Sequence, residues 1–275
     1  MSTELKFIKI QGNGNDFVLL NDLQDQLHLK PEQIQFLCDR RIGIGADGLL
    51  MIKPATEEYD FRMLYFNADG GRVDFCGNGG RCISYAAAKV LQKNDLRFLA
   101  DDGSHVSFVN DETGEVSLEM IPWQKLESPE LGELFSELHI PVKNIMSFHT
   151  GVPHLVIELS GVDESHFNRI PVPEWGATIR RSGFYRDEGI NVNFTIHGNI
   201  SNELLQRTYE RGVEAETLSC GTGSVAVALY WKELGNSDSF KIHTPGGTNF
   251  VHFPEDRNPV LSGMVTEVFK GTIKA

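Results

Sequence analysis

Cysteine is scarce here. Four in 275 residues are too few for a disulfide framework to be the main source of stability. Long apolar runs are missing too. The stretch Val225–Trp231 (VAVALYW) is typical of the longest, and it falls far short of a membrane span. The N-terminus, MSTELKFIKI, has no basic segment followed by an apolar core, so no secretory signal is expected and the cytoplasm is the default, with all four thiols reduced. Bases are in deficit, 25 against 38 acids, for a net charge of −13. That excess repels phosphate backbones and anionic membrane surfaces on average, which argues against nucleic-acid or membrane partners. Metal-ligand spacing is absent, because five residues separate Cys76 from Cys82 and no paired histidines follow. Gly12-Asn13-Gly14-Asn15 is only a short G-x-G, with no acidic residue placed to complete a dinucleotide fingerprint. Low-complexity tracts and runs of five like charges do not occur.

The apolar fraction is 40%, which suits a folded globular chain, and the length suits two domains or one large one. Short strand-like runs predominate. Lys6–Ile10, Phe17–Leu20, Leu49–Ile52, Phe61–Phe66, Val116–Met120 and Leu155–Leu159 are among them, as are Asn191–Ile196, Leu205–Tyr209, Phe240–His243 and Val265–Phe269. Helical periodicity is confined to Pro31–Arg40, Gly80–Leu91 and Gly223–Leu234. Many strands with a few interspersed helices predict an α+β fold rather than an alternating βαβ chain. Ile121–Pro141 carries three prolines and loses alternation, so it reads as a connection between halves.

A long-range self-match carries most of the functional information. Tyr65–Gly79 (YFNADGGRVDFCGNG) aligns with Tyr209–Gly223 (YERGVEAETLSCGTG), without a gap, at an offset of 144. Each copy reads as a strand, a polar loop, Cys-Gly-x-Gly, and then a helix rich in small residues. Each half therefore places a cysteine, Cys76 or Cys220, at the start of a buried helix. There the first N–H groups lack intrahelical partners and the dipole end is positive, which stabilises a thiolate. Glycines let a ligand approach the backbone, and N–H-lined turns cradle a carboxylate. A lone free cysteine is most often inert packing. Two in matched turns point to chemistry, whereas Cys38 and Cys82 lack such a setting and read as structural.

Were the halves to face each other across a cleft, two thiols would flank one carbon. A thiolate would remove a proton from one face while a thiol delivered one to the other, inverting the centre with no cofactor. Asn67 lies in the loop before Cys76, and Glu210 and Arg211 lie in the loop before Cys220. His154 follows Gly151-Val152-Pro153. Each is weak evidence alone, and proximity to the cysteine turns strengthens it.

The motifs GNGNDF (Gly12–Phe17), RRIGIGADGL (Arg40–Leu49) and YFNADGGRVDFCGNGGRC (Tyr65–Cys82) resemble those of the diaminopimelate epimerase family. So do GINVNF (Gly189–Phe194), YERGVEAETLSCGTG and TPGG (Thr244–Gly247). The resemblance implies a cofactor-independent epimerase interconverting LL- and meso-diaminopimelate, in lysine and peptidoglycan precursor synthesis, and a homodimer. It also implies two pseudo-symmetric domains, each a strand-rich barrel-like sheet around a central helix, with the active site between them. The expected division is residues 1–120 plus about 263–275, and 121–262. Carried over, Cys76 and Cys220 are the acid/base thiols, and Gly77, Asn78, Gly221 and Thr222 hold the α-carboxylate. Asn15 approaches from the first half, and Asn67, Asn191 and Arg211 read the distal amino-acid head. Glu210 and His154 set the thiol pKa values.

The chain departs from many members at Val152, where they carry Asn, and from some at Gly48, where they carry Gln. A proline or hydroxyproline racemase-like activity shares the two-thiol logic but has no second head for Arg211 to read. The phenazine-pathway isomerases share the architecture without paired cysteines. A redox thiol protein would show Cys-x-x-Cys or a resolving thiol.

Overall fold

The computed structural model describes residues 4–130, 132–185, 189–198, 200, 202–235 and 237–274. Contacts divide the chain into two units, 1–119 with 262–275, and 120–261. The first contains β1 (Glu4–Gly12), β2 (Asn15–Asn21), α1 (Pro31–Cys38), β3 (Gly48–Lys53), β4 (Phe61–Asn67), β5 (Arg72–Val73), α2 (Gly77–Leu91), β6 (Asp95–Ala100), β7 (Gly103–Asn110) and β8 (Glu115–Glu119). The second contains β9 (Gln124–Leu126), α3 (Glu133–Glu137), β10 (Val142–His149), β11 (Pro153–Leu159), α4 (Glu164–Phe167), α5 (Val172–Arg180), β12 (Asn191–His197), β13 (Glu203–Glu210), β14 (Ala215–Thr217), α6 (Gly221–Glu233), β15 (Ser239–Thr244) and β16 (Gly247–His252). The last strand, β17 (Val260–Lys274), returns to the first unit.

In the first unit β17, β1, β2, β3, β4, β6, β7 and β8 pair in that order, and β8 pairs back to β17, closing an 8-strand barrel. Closure removes free strand edges. Helix α2 lies inside, in contact with β1, β2, β3, β4, β6, β7 and β8. Its own surface explains the fit. Gly79, Gly80, Ala86, Ala87 and Ala88 are buried and small enough to sit among the strands. Outside, α1 covers β2 and β3 with Ile34 and Leu37 against Val18, Leu20, Leu49 and Met51. Strand β3 is consequently buried along its whole length, which is why LLMI within GLLMIK reads as a continuous apolar run rather than an alternation.

The second unit repeats this wiring. β10 and β11 are antiparallel, as are β1 and β2; β11–β12 is parallel, as is β2–β3; β13 pairs with β12, β14 and β15 as β4 pairs with β3, β5 and β6. Helix α6 contacts β10, β11, β12, β13, β15 and β16. The fold is α+β and strand-rich, with a central helix in each unit, as the sequence and the resemblance imply.

Two expectations are corrected. Helices α2 and α6 begin at Gly77 and Gly221, directly after their cysteines, and not at Gly80 and Gly223. Glycine has poor helix propensity, so sequence pattern alone delays the start, but packing favours it in these first turns: a Cβ at Gly80 would meet the Phe75 ring at 2.7 Å, and one at Gly223 would meet Asn193 Oδ1 at 2.4 Å. The gapless self-match also fails in detail. Tyr65 pairs with Val73 and Thr208 with Thr217, while Val73 and Thr217 each precede their cysteine by three residues. Thr208 is therefore the counterpart of Tyr65, and the second hairpin loop carries one extra residue. In a strand a one-residue offset reverses the face. Tyr209 accordingly packs against Gly176 of α5, and Thr208 belongs to the polar group beside α6.

Candidate functional site

Each cysteine is the N-cap of its central helix, with extended backbone: φ −147° and ψ 125° at Cys76, φ −112° and ψ 111° at Cys220. The Cys76 carbonyl accepts from the Gly80 N–H at 2.7 Å, and the Cys220 carbonyl from the Ser224 N–H at 2.9 Å. The amides of Gly77 and Asn78, and of Gly221 and Thr222, thus lie in the first turn, where no intrahelical acceptor exists. Cys76 is half-buried and Cys220 buried.

Around Cys76 the structure brings together two predicted residues. The thiol lies 3.6 Å from Asn15 Oδ1, and Asn78 Nδ2 approaches the same oxygen at 3.5 Å. The motif GNGN places Asn15. Asn13 (φ 52°) and Gly14 (φ 79°) are both left-handed, forming a two-residue hairpin turn between β1 and β2, in which Gly12 pairs with Asn15. Asn15 Nδ2 donates to Asp47 Oδ2 at 2.9 Å. Asp47 in turn accepts from Arg40, which also grips Asp16 with two hydrogen bonds of 2.7 and 3.0 Å. Although burial opposes it, hydrogen bonds from Arg40 and Lys9 hold the Asp16 carboxyl well below the ordinary carboxylate range. The RRIGIGADGL motif is in this way a charged brace for Asn15. Asn67 sits exposed at the end of β4, opposite Gly48, and its Oδ1 accepts from the Tyr65 hydroxyl at 2.9 Å. A Cβ at Gly48 would meet Phe66 O at 2.5 Å and the Tyr65 ring at 2.8 Å, so Gly48 leaves the room that Tyr65 fills.

Around Cys220 two of the predicted residues form a chain. Its Sγ lies 3.5 Å from Thr222 Oγ1, and Thr222 Oγ1 lies 3.0 Å from His154 Nε2. His154 is fully buried and its pKa is depressed to about 3, chiefly by burial and further by the charges of His149 and Arg211. It is neutral at physiological pH. Asn191 is buried, and its Oδ1 accepts from the Arg211 N–H at 2.7 Å, fixing the start of the loop that carries the Arg211 side chain. Glu210 ends β13 opposite Ala215. Val152 is half-buried. A cavity of about 490 Å³ in this unit is lined among others by Gln206, Arg207, Glu216 and His243, and none of the site residues assigned from the sequence lines it.

Several residues of both sites escaped sequence reasoning. Arg81 is fully buried in α2, and its Nη2 donates to Asn78 Oδ1 at 2.7 Å. Its Nε and Nη1 have no hydrogen-bond partner among the described residues. The CGNGGRC string advertised it, because an arginine inside a glycine-rich helix start is unusual. Asn193, Gln206 and Thr208 gave a weaker signal, three polar residues at strand positions that burial requires to be paired. Cys38 and Cys82 are buried, and burial raises both thiol pKa values, that of Cys38 to about 11. No cluster of three or more metal-ligating side chains occurs among the described residues, and no described helix is long and apolar enough to cross a membrane.

The family model for diaminopimelate epimerase matches residues 7–126 and 146–268. A diaminopimelate epimerase of Flavobacterium psychrophilum is 39% identical over 98% of this chain and 100% of its own. One from Aquifex aeolicus is 34% identical over 98% of both. Among solved structures, a PhzF-family phenazine biosynthesis protein of Bacillus anthracis has a TM-score of 0.76 at 15% identity, covering 99% of this chain and 100% of its own. A hydroxyproline epimerase from Agrobacterium vitis has a TM-score of 0.65 at 15% identity, covering 98% and 91%. At these identities the structural likeness concerns the fold.

Proposed function

The chain belongs to the diaminopimelate epimerase family, and on that premise we propose that it interconverts LL- and meso-2,6-diaminopimelate by a two-thiol mechanism without a cofactor. The observation that supports the mechanism is the duplicated N-cap cysteine: Cys76 on α2 and Cys220 on α6, each at the positive end of a buried helix. One thiolate takes the α-proton, leaving the electron pair on the α-carbon. The other thiol delivers its proton to the opposite face and becomes the thiolate, so the reverse reaction uses the same pair in exchanged roles. The α-carboxylate is held by the first-turn amides at Gly77, Asn78, Gly221 and Thr222, where charge developing on the substrate meets preorganised donors. Asn15 lines this end beside Cys76. Asn67, Asn191 and Arg211 hold the distal head, Arg211 by a fork suited to a carboxylate. Glu210 and His154 tune the thiols. The lysine and cell-wall precursor route, a homodimeric state and a cytoplasmic setting belong to the same proposal.

Incubation with LL-diaminopimelate in D2O, with nothing else added, is the deciding experiment. Meso product bearing one α-deuterium is expected. Absence of both epimerisation and exchange sinks the reading, and exchange into proline instead would move the assignment to a racemase.

A further inference from the structure

The geometry points to Asn193 as a positioning residue that sets the direction of the hydrogen-bond chain ending on Cys220, on the reading that Cys220 works as an acid/base thiol. Asn193 lies on β12, fully buried, facing α6. All four hydrogen-bonding positions of its amide are occupied. Nδ2 lies 3.1 Å from His154 Nδ1 and 3.1 Å from Leu155 O. Oδ1 accepts from Thr208 Oγ1 at 2.9 Å and from Gln206 Nε2 at 3.4 Å. A flipped amide would set its oxygen against the Leu155 carbonyl and its N–H groups against Gln206 Nε2, so only one orientation is satisfied. Nδ2 must then donate to His154 Nδ1.

The consequence runs toward the thiol. With Nδ1 accepting and the ring neutral, the proton of His154 sits on Nε2. Nε2–H donates to Thr222 Oγ1, 3.0 Å away. That leaves the Thr222 hydroxyl hydrogen for Cys220 Sγ, at 3.5 Å, as a donor to the thiolate. The other end of the chain also returns to Cys220. Gln206 Nε2 donates to Thr208 Oγ1 at 2.9 Å, Gln206 Oε1 accepts from Ser224 Oγ at 2.8 Å, and that hydroxyl lies 3.1 Å from the Cys220 carbonyl. The glycine of Cys-Gly-Thr-Gly has a reason here. A Cβ at Gly223 would stand 2.4 Å from Asn193 Oδ1 and 3.0 Å from Gln206 Nε2. At its counterpart Gly79 the nearest neighbours of such a Cβ are apolar, Leu50 and Met63 at 3.4 Å and the Cys76 Cβ at 3.6 Å, so the close polar contacts at this glycine belong to the second unit.

The test has three arms. In the wild-type protein, 15N NMR of the His154 ring should show the proton on Nε2 at neutral pH. In Asn193→Asp the acceptor at Nδ1 pulls the proton to that side, and Nε2 then takes the Thr222 hydroxyl hydrogen away from Cys220. Alkylation of Cys220, read by peptide mapping against Cys76 in the same sample, should slow about tenfold, the worth of one hydrogen bond to a charged group. The kcat should fall by a similar factor with KM within about twofold, because the loss falls on the acid/base group rather than on substrate contacts. Thr222→Val should slow Cys220 alkylation in the same way, and Thr222→Ser should restore it. A wild-type ring protonated on Nδ1 overturns the inference without any variant being needed. So does a folded Asn193→Asp whose Cys220 alkylates within about twofold of wild type. If the wild type fails to epimerise yet gives the Nε2–H signal and the slowed alkylation, the chain stands and the proposed function falls.

Discussion

The two thiols share a backbone setting and differ in what surrounds them. Cys76 lies near the amides of Asn15 and Asn78, with the buried guanidinium of Arg81 acting on it electrostatically; Cys220 lies behind a neutral histidine and a hydroxyl. Because each thiol would serve one face of the α-carbon, Cys76→Ala and Cys220→Ala should each lower kcat by several orders of magnitude, on the order of 10³ or more. Steady-state rates in both directions check this, and a near-wild-type alanine variant at either position would refute the pair. His154 makes a second prediction. Its folded pKa, about 3, lies below the ordinary histidine value of about 6.5. Between these values the unfolded chain binds a proton that the folded protein excludes, so stability falls as pH falls. Urea midpoints of the wild type should decline from pH 6.5 downward, and His154→Gln, though less stable throughout, should show a shallower decline. Parallel slopes would mean that His154 does not carry the linkage.

Among the elements, the loop after β2 shows how a connection is held without regular structure. Lys53 at the end of β3 donates to Asp22, to Asp25 at 2.7 Å and to Leu27 O at 2.9 Å, and Asp22 also accepts from the Gln26 and Leu27 N–H groups at 2.8 and 3.0 Å. Burial alone would raise the Asp22 pKa; the bonds from Lys53 and the two amides overcome it and leave the value below normal. Removing the cation strands a buried carboxylate. Lys53→Met should therefore cost about 3 kcal/mol at pH 7, measured by chemical denaturation. In the wild type the same group contributes stability above the ordinary carboxylate range of about 4, lost as pH falls through its lower folded value. A cost under about 0.5 kcal/mol would show that Asp22 is rescued by the amides alone. The paired hairpins β4–β5 and β13–β14 carry the other element-scale lesson. Their strings align without a gap, but strand pairing puts the extra residue in the second loop and turns Tyr209 away from α6.

For the molecule as a whole, β17 decides whether the first unit closes. It runs antiparallel to β1 from Lys274 opposite Glu4 to Val265 opposite Gly12, and it also pairs with β8. Deleting residues 262–275 removes a strand from the middle of the ring and leaves two long edges exposed. The truncated chain should lose cooperative unfolding of the first unit and all epimerase activity, while amide resonances of residues 120–261 keep native-like dispersion. A truncated protein with a wild-type thermal transition would show that the ring tolerates an opening.

The sequence by itself determined a good deal. Period-2 runs and sparse helices specified an α+β chain, because alternation and helical periodicity are local properties of the side chains. The paired Cys-Gly-x-Gly turns marked both thiols, because a helix start that must admit a ligand or a strand needs glycine wherever it lies. Only the tertiary structure decided the rest. That α2 starts at Gly77 and that Asp47 and Arg40 brace Asn15 depend on segments distant in sequence. Asn193, Gln206 and Thr208 look like any polar strand residues until pairing turns them inward beside α6. Burial there is met by pairing of their polar groups, and that pairing, running through residues 154 to 224, gives the chain leading to Cys220 its direction.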